Sequence, residues 1–448
     1  MKIWLLFTLG IMLSSPGWGT VKAYLNHNST TRYTDPYRKI ARNGDNLEQV
    51  LIDQISQAQK TIYLAVQELR LPLIAKALIE KKALGVDVRV VLENNYNFTV
   101  LSQRDFSAEN EYEATKLAEL QAFVDVNKNG KFESEELESR DAIYMLQKAG
   151  VPIIDDTFDT SRGSGLMHHK FVIIDGKSTV VSTANFTLSC IHGDYTVPTS
   201  RGNANSMVVV QSAEFARLFT EEYAQLWGNG RRGNFGHNKT YRGPRTLSVR
   251  GVALTVQFSP TSQRYNWEES VNGLIAAHLV KARTSIKAAL FVFSDQNLAN
   301  VMESRQQAGA QIGVLIEPNF AYREYSELLD MMGLQLLNQK CAYEPANRPW
   351  RVPLREVGMA RLPDGDVLHH KFAVVDNKTV VVGSQNWSDA ANYINDETLL
   401  VIQDPRISDL YAQEYERLKK NSLLGPSSRL LQEIGQRERA CAAQGLHF

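Results

Sequence analysis

The chain has only 3 cysteines in 448 residues, Cys190, Cys341 and Cys441. That excludes a disulfide-built scaffold and a cysteine-clustered zinc fold. At most one intrachain bridge can form, and the sequence does not say which pair makes it. Net charge is also lacking: 49 Lys and Arg offset 49 Asp and Glu. The balance argues against an obligate polyanion binder, although local patches remain open. Long apolar runs are absent beyond the N-terminus, so no membrane-spanning helix is expected. The run at residues 3–13 follows Met1-Lys2 and precedes Pro16, Gly17 and Gly19. It has the build of an export signal, with cleavage expected after Gly19 or Ala23, a leader at 1–23, and a secreted or periplasmic destination. No cysteine lies near it, so a lipoprotein is not expected.

What the chain does have is one segment written twice. His168-His169-Lys170-Phe171-Val172-Ile173-Ile174-Asp175 is followed, after six residues, by Ser182-Thr183-Ala184-Asn185. His369-His370-Lys371-Phe372-Ala373-Val374-Val375-Asp376 is followed, after six residues, by Gly383-Ser384-Gln385-Asn386, at a constant offset of 201 (369 − 168). Each copy reads as strand, turn and returning strand. Strand alternation places His168 with Lys170, and His369 with Lys371, on one face. Thr183 with Asn185, and Ser384 with Asn386, share a face on the return. An imidazole, an ammonium, a hydroxyl and an amide together suit an anionic phosphoryl group, with Thr183 and Ser384 as substrate-binding hydroxyls. Two histidines add chemistry: one imidazole can attack phosphorus, and the other can protonate the leaving oxygen and then activate water. Solvated strand ends and a zinc site are the competing readings. Adjacent strand histidines point to opposite faces, and no clustered cysteine or acid sits beside them, which weighs against zinc.

The repeat extends outward. Residues 62–66 and 90–93 correspond to 286–290 and 314–317 at an offset of 224, so each half is expected to begin helix, strand, helix, strand, with first helices near 46–59 and 267–283. Asn203-Ala204-Asn205 corresponds to Asn395-Asp396-Glu397 at an offset of 192. The falling offsets locate a large insertion before the first motif and a Gly-, Ser- and Thr-bearing loop at 191–202. The large insertion contains Asp125, Asn127, Asn129, Gly130, Lys131 and Glu136 in the pattern D-x-[DN]-x-[DN]-G-x5-E, between segments 111–124 and 135–148 that look helical. Three side chains, the Lys131 carbonyl and a bidentate Glu136 would surround a structural Ca²⁺. A solvated acidic turn is the plainer reading.

The paired HxKxxxxD strings with their GSxN-like tetrads resemble the phospholipase D superfamily of phosphodiesterases, over about residues 40–420, as an exported bacterial member with an EF-hand-like calcium loop. The resemblance implies a bilobal α/β fold: two pseudo-twofold-related α/β/α lobes with mixed sheets and the active site at their interface. It also implies His168 as nucleophile, His369 as general acid, Lys170 and Lys371 as phosphate ligands, and Asn185 and Asn386 as assisting amides. Glu397 would orient one imidazole, with Asn205 a weaker counterpart that has no charge to offer. Asp175 and Asp376 read as structural turn residues. No metal or cofactor is expected in catalysis. The expected layout is lobe one at 24–227 with its insertion at about 110–140, a basic linker at 228–250, lobe two at 251–420 and a polar tail at 421–448, helical from 428 to 443. Ser182 stands where the tetrad expects glycine. A monomer acting on phospholipid head groups, in peripheral contact with a membrane, is the leading expectation. A metal-independent nuclease follows, favoured by the basic linker, and a non-catalytic scaffold comes last.

Overall fold

The computed structural model describes residues 20–102 and 111–444. Residues 1–19 of the expected leader lie outside them, while Thr20–Leu25 already form a strand. The chain builds two mixed sheets. In the first, the order is Thr20–Leu25, Ser206–Gln211, Ser178–Ser182, Lys170–Ile174, Thr61–Val66, Asp87–Leu92, Ile153–Asp155. In the second it is Arg245–Val249, Val252–Phe258, Thr398–Gln403, Thr379–Gly383, Lys371–Val375, Ser285–Leu290, Gln311–Ile316, Gly358–Met359, Leu423–Leu424. Seven strands correspond one to one, and the second sheet gains a strand at each edge. The fold is bilobal and mixed α/β, with the two lobes related by pseudo-symmetry.

The motif strands are central because both of their faces are apolar. Phe171 and Ile173 point into the core shared by the two lobes, and Val172 and Ile174 point into the outer core of lobe one. Phe372 and Val374, and Ala373 and Val375, repeat the division in lobe two. The shared core is closed by the helices Ala213–Trp227 and Pro405–Lys420. Phe215, Phe219, Tyr223 and Leu226 recur at helical spacing on the buried side of the first. Ser212 and Asp404 cap their N-termini.

Four expectations need correction. Lobe one does not begin with a helix: Thr20–Leu25 pairs along its whole length with Ser206–Gln211, and its alternation is too weak to mark it as a strand. The 228–250 stretch is not simply a linker, since Arg245–Val249 pairs with Val252–Phe258 and Lys239 is buried in ion pairs. The helix expected at 267–283 is a short 3₁₀ turn, Trp267–Glu269, followed by Val271–Leu279, because the Ser270 side chain caps the second piece. The 135–148 helix breaks likewise at Asp141, whose carboxylate accepts from Ile143 and Tyr144 N–H.

The tail is also part of the fold. Leu423–Leu424 closes the second sheet, and the helix Ser428–Ala442 is tied by a Cys341–Cys441 disulfide, leaving Cys190 free and buried. No helix among the described residues is long and apolar enough to cross a membrane. The disulfide closes a loop 100 residues long, so Cys441→Ser is expected to cost about 2–4 kcal/mol. Denaturant unfolding should show a lower midpoint matching that of the reduced wild type.

Candidate active site

Each motif histidine is carried to the seam by backbone pairing with the opposite lobe. His168 N–H donates to the Asp396 carbonyl at 3.0 Å, and His369 N–H donates to the Ala204 carbonyl at 3.2 Å. The bridges Met167 to Asp396 and Leu368 to Ala204 are symmetry counterparts. The side chains repeat the exchange. His168 Nδ1 lies 2.7 Å from Glu397 Oε2, and His369 Nδ1 lies 3.0 Å from Asn205 Oδ1. Both rings line one cleft of about 380 Å³, together with Gln67, Asn185, Phe291 and Asn386.

The orienting groups are themselves fixed. Asn205 Nδ2 donates to the Cys190 and Asn203 carbonyls, which turns Oδ1 toward His369. Thr183 Oγ1 donates to the same Oδ1 at 2.8 Å. Asn205 N–H donates to the Asn26 side chain, and Glu397 N–H donates to Ser259 Oγ, so Asn26 and Ser259, each one residue past the corresponding strands Thr20–Leu25 and Val252–Phe258, are matching anchors. With Nδ1 of each ring held, Nε2 is the nitrogen available to a ligand.

Thr183 and Ser384 correct the expectation of substrate-binding hydroxyls. Both are fully buried. Thr183 serves Asn205, and Ser384 Oγ accepts from Thr398 N–H; neither lines the cleft. Asp175 and Asp376 sit at the far end of the strands. Asp175 accepts from the N–H groups of Gln59, Lys60 and Thr61, and Asp376 from those of Arg283, Thr284 and Ser285. They fasten each motif strand to the antiparallel strand beside it, Thr61–Val66 or Ser285–Leu290.

Lys170 and Lys371 are fully buried behind the cleft wall. Lys170 Nζ donates to the His168 carbonyl and to Gln67 Oε1. Lys371 Nζ donates to the His369 carbonyl and stands 4.7 Å from the Phe291 ring centroid. Gln67 was not singled out from the sequence. Its Oε1 also accepts from Asn185 Nδ2 at 3.1 Å. Its counterpart at an offset of 224 is Phe291, so the repeat itself hides it. Oδ1 of Asn185 and of Asn386 is buried without a hydrogen-bond partner.

Electrostatics follow from this packing. Burial pushes both imidazoles well below the usual histidine range, and the nearby Lys170 and Lys371 push further in the same direction. Burial lowers Lys170 to about 8 and Lys371 well below the usual lysine range. Glu397 is raised to about 7 by burial, against the pull of Lys170. The cleft is therefore short of negative charge, and an entering anion would favour the charged lysines and a protonated His369.

The second histidine of each pair faces the shared core. His169 reaches Glu222 at 3.1 Å and His370 reaches Glu414 at 3.1 Å. His169, Glu222 and Asp396 converge closely enough to suggest a metal site. The Lys239 ammonium, however, already pairs with both Glu222 and Asp396. Glu222 is held low by Lys239, His169 and Arg242 despite its burial, whereas burial keeps Asp396 raised to about 6 against Lys239 and the Gly236 N–H.

Two segments of the chain, 51–227 and 275–419, match the family described as "Cardiolipin synthase, PLD-like domain". A stretch of 153 residues is 29% identical to the mitochondrial cardiolipin hydrolase of Mus musculus, covering 34% of this chain and 58% of that protein. A phospholipase D of Rickettsia bellii is 26% identical over 141 residues, 32% of this chain and 60% of the relative. The chain thus spans somewhat over half the length of these relatives. The phosphatidylserine synthase structure from Haemophilus influenzae aligns over 89% of this chain and 92% of its own, with a TM-score of 0.54 and 13% identity. That is a likeness of fold.

Lys239→Met would leave two buried carboxylates facing each other. The expected loss is about 3–5 kcal/mol. Because the folded value of Asp396 lies above the ordinary carboxyl value, protonation relieves the repulsion. The loss should be largest above about pH 6 and shrink below it. Denaturant midpoints of wild type and variant across that range measure it.

Proposed function

We propose, from the premise that the chain belongs to the cardiolipin synthase and phospholipase D-like domain family, that it is a phosphodiesterase working through a covalent phosphohistidine. The observation that carries this is the pair of imidazoles from opposite lobes, each held through Nδ1, on one cleft. His168 Nε2 attacks phosphorus, and the bond to the leaving oxygen breaks as His369 gives that oxygen a proton. His369 then takes a proton from water, whose oxygen displaces the histidine and restores His168. The Glu397 carboxylate suits His168 to the role of nucleophile, since the phosphorylated ring gains positive character. Lys170, Lys371, Asn185 and Asn386 balance the non-bridging oxygens.

Phospholipid head-group cleavage is the substrate reading. Phe98, Leu120, Phe123, Phe291 and Phe320 line the cleft beside the histidines. Such a wall favours a diester with an apolar body over a nucleic-acid backbone. The neutral net charge agrees, as does the N-terminal run at 3–13, on which we base export to the periplasm or beyond. Metal-independent nuclease activity is the second reading, favoured by the arginines of the 228–250 stretch. Parallel assays on phospholipid vesicles and plasmid DNA in EDTA separate them. Head-group release without DNA cleavage is expected, with His168→Ala lowering turnover by at least roughly a thousandfold. DNA cleavage alone would replace the lipid reading. No turnover of either substrate, or of a bis-aryl phosphodiester, would remove the enzyme reading.

We further propose that the 125–136 loop holds a structural Ca²⁺. Helices Glu111–Val124 and Ser134–Arg140 flank it. Its donors are hard oxygens gathered inward: Asp125 accepts from Asn129 and Gly130 N–H, and Glu136 from Asn127 and Glu133 N–H. Gly130 takes φ +75°, and a Cβ there would meet nothing, so backbone conformation is the reason for glycine. Asp125, Asn127, Asn129, Glu136 and the Lys131 carbonyl would hold the ion, which supplies charge neutralisation to the loop and no chemistry. Chelation, or Asp125→Ala, should lower Tm while leaving the initial rate at low temperature unchanged. A rate loss at unchanged Tm would place the ion in the chemistry instead.

A further inference from the structure

The segment leading into the first motif histidine is an exposed loop, residues 157–166, and it is locked to a second loop from the interlobe stretch. Asp159 Oδ2 accepts from Phe235 N–H at 2.7 Å and from Asn238 Nδ2 at 3.0 Å, and Asn238 also donates to Thr160 Oγ1. Phe158 and the arginines Arg231 and Arg232 line one open depression on this surface. Arg162 is exposed on the same loop. The surface runs on to the cleft. Gly165 packs against Ile394, where a Cβ would lie 2.5 Å from its carbonyl oxygen and 3.1 Å from its side chain. Gly236 approaches the same carbonyl, and Leu166, one residue further, lines the cleft. Phe158, Leu166 and Ile394 are exposed at 38%, 37% and 46%.

Singly exposed apolar residues are ordinary. These three lie along one rim, interspersed with three arginines, and the rim opens onto the reacting histidines. Its one half-buried carboxylate, Asp159, is already engaged by backbone and side-chain donors. Apolar side chains that enter the head-group layer, flanked by cations that meet lipid phosphates, form an interfacial binding surface. We propose that this rim, built from residues 157–166, Arg231, Arg232 and Ile394, docks the protein on an anionic phospholipid bilayer and presents the cleft mouth to the head groups. The proposal rests on the phospholipid reading of the substrate. It adds where the membrane is met and which charge it must carry.

The test uses the full chain with two vesicle preparations, phosphatidylcholine alone and phosphatidylcholine mixed with phosphatidylglycerol. Sedimentation should show binding to the mixed vesicles and little to the neutral ones. The double variant Arg231→Glu, Arg232→Glu and the separate variant Phe158→Asp should each weaken that binding, the first by roughly tenfold or more. Turnover of a soluble bis-aryl diester should stay at the wild-type value in both, because none of these residues lines the cleft; this also reports that the variants are folded. Equal binding to both vesicle types, or binding untouched by either variant, overturns the proposal. Binding of plasmid DNA in place of vesicles through the same arginines also overturns it. Failure of the enzymatic reading looks different: vesicles would still bind through the rim, with no diester turned over.

Discussion

The site depends on two hydrogen bonds that cross between lobes, His168 to Glu397 and His369 to Asn205. Neither lobe can orient its own histidine. The residue that holds each ring sits just before a strand of the opposite lobe, Thr398–Gln403 or Ser206–Gln211, and the backbone bridges at Met167 and Leu368 repeat the exchange. Separating the lobes would cost both orienting contacts together. That explains why so much of the chain maintains the seam. The shared apolar core lies between the two sheets, and the His169–Glu222 and His370–Glu414 pairs sit within it.

Charge is the second constraint. Four groups able to carry positive charge, His168, His369, Lys170 and Lys371, are buried around a cleft with Glu397 as the carboxylate in contact with a motif histidine. Burying such groups without partners is costly, and their pKa values fall accordingly. Nearby acids do not relieve the cost: Glu222 and Asp396 are occupied by Lys239, and Glu414 by Arg417. The fold directs each of those carboxylates to the shared core and keeps it from the cleft. What remains is a pocket with little negative charge of its own, which an entering phosphoryl anion would supply.

The motifs were legible because their chemistry lies within eighteen consecutive residues, where strand alternation determines which side chains share a face. Glu397 was legible through the family resemblance, at the position that the repeat pairs with Asn205. The hydroxyls of Thr183 and Ser384 were misread because alternation gives a face and not a depth: they share a face with the amides but lie a layer beneath them. Gln67, Asn26 and Ser259 could not be found this way. Each acts on a residue more than 100 positions distant, and Gln67 has a phenylalanine as its counterpart. Lys239 was hidden differently. In a stretch rich in arginine and glycine it reads as one more solvated cation, and only the fold shows it between two buried carboxylates.

The departures from symmetry indicate how two equivalent frames came to hold unequal halves. Backbone pairing is conserved between them: Gln67 N–H donates to the His169 carbonyl, and Phe291 N–H to the His370 carbonyl. The side chains differ. On the His168 side a carboxylate backs the ring, and Gln67 gathers Lys170 and Asn185 into one polar network. On the His369 side an amide backs the ring, and the Phe291 ring packs 4.9 Å from it. An imidazole backed by a carboxylate tolerates lasting positive character, such as phosphorylation imposes. One backed by an amide against an aromatic face gives up a proton more readily. The proposed two-histidine reaction would use one ring of each kind, and the repeated frame holds both because each lobe's orienting residue comes from the other lobe, where it could change without disturbing the strand that carries its histidine.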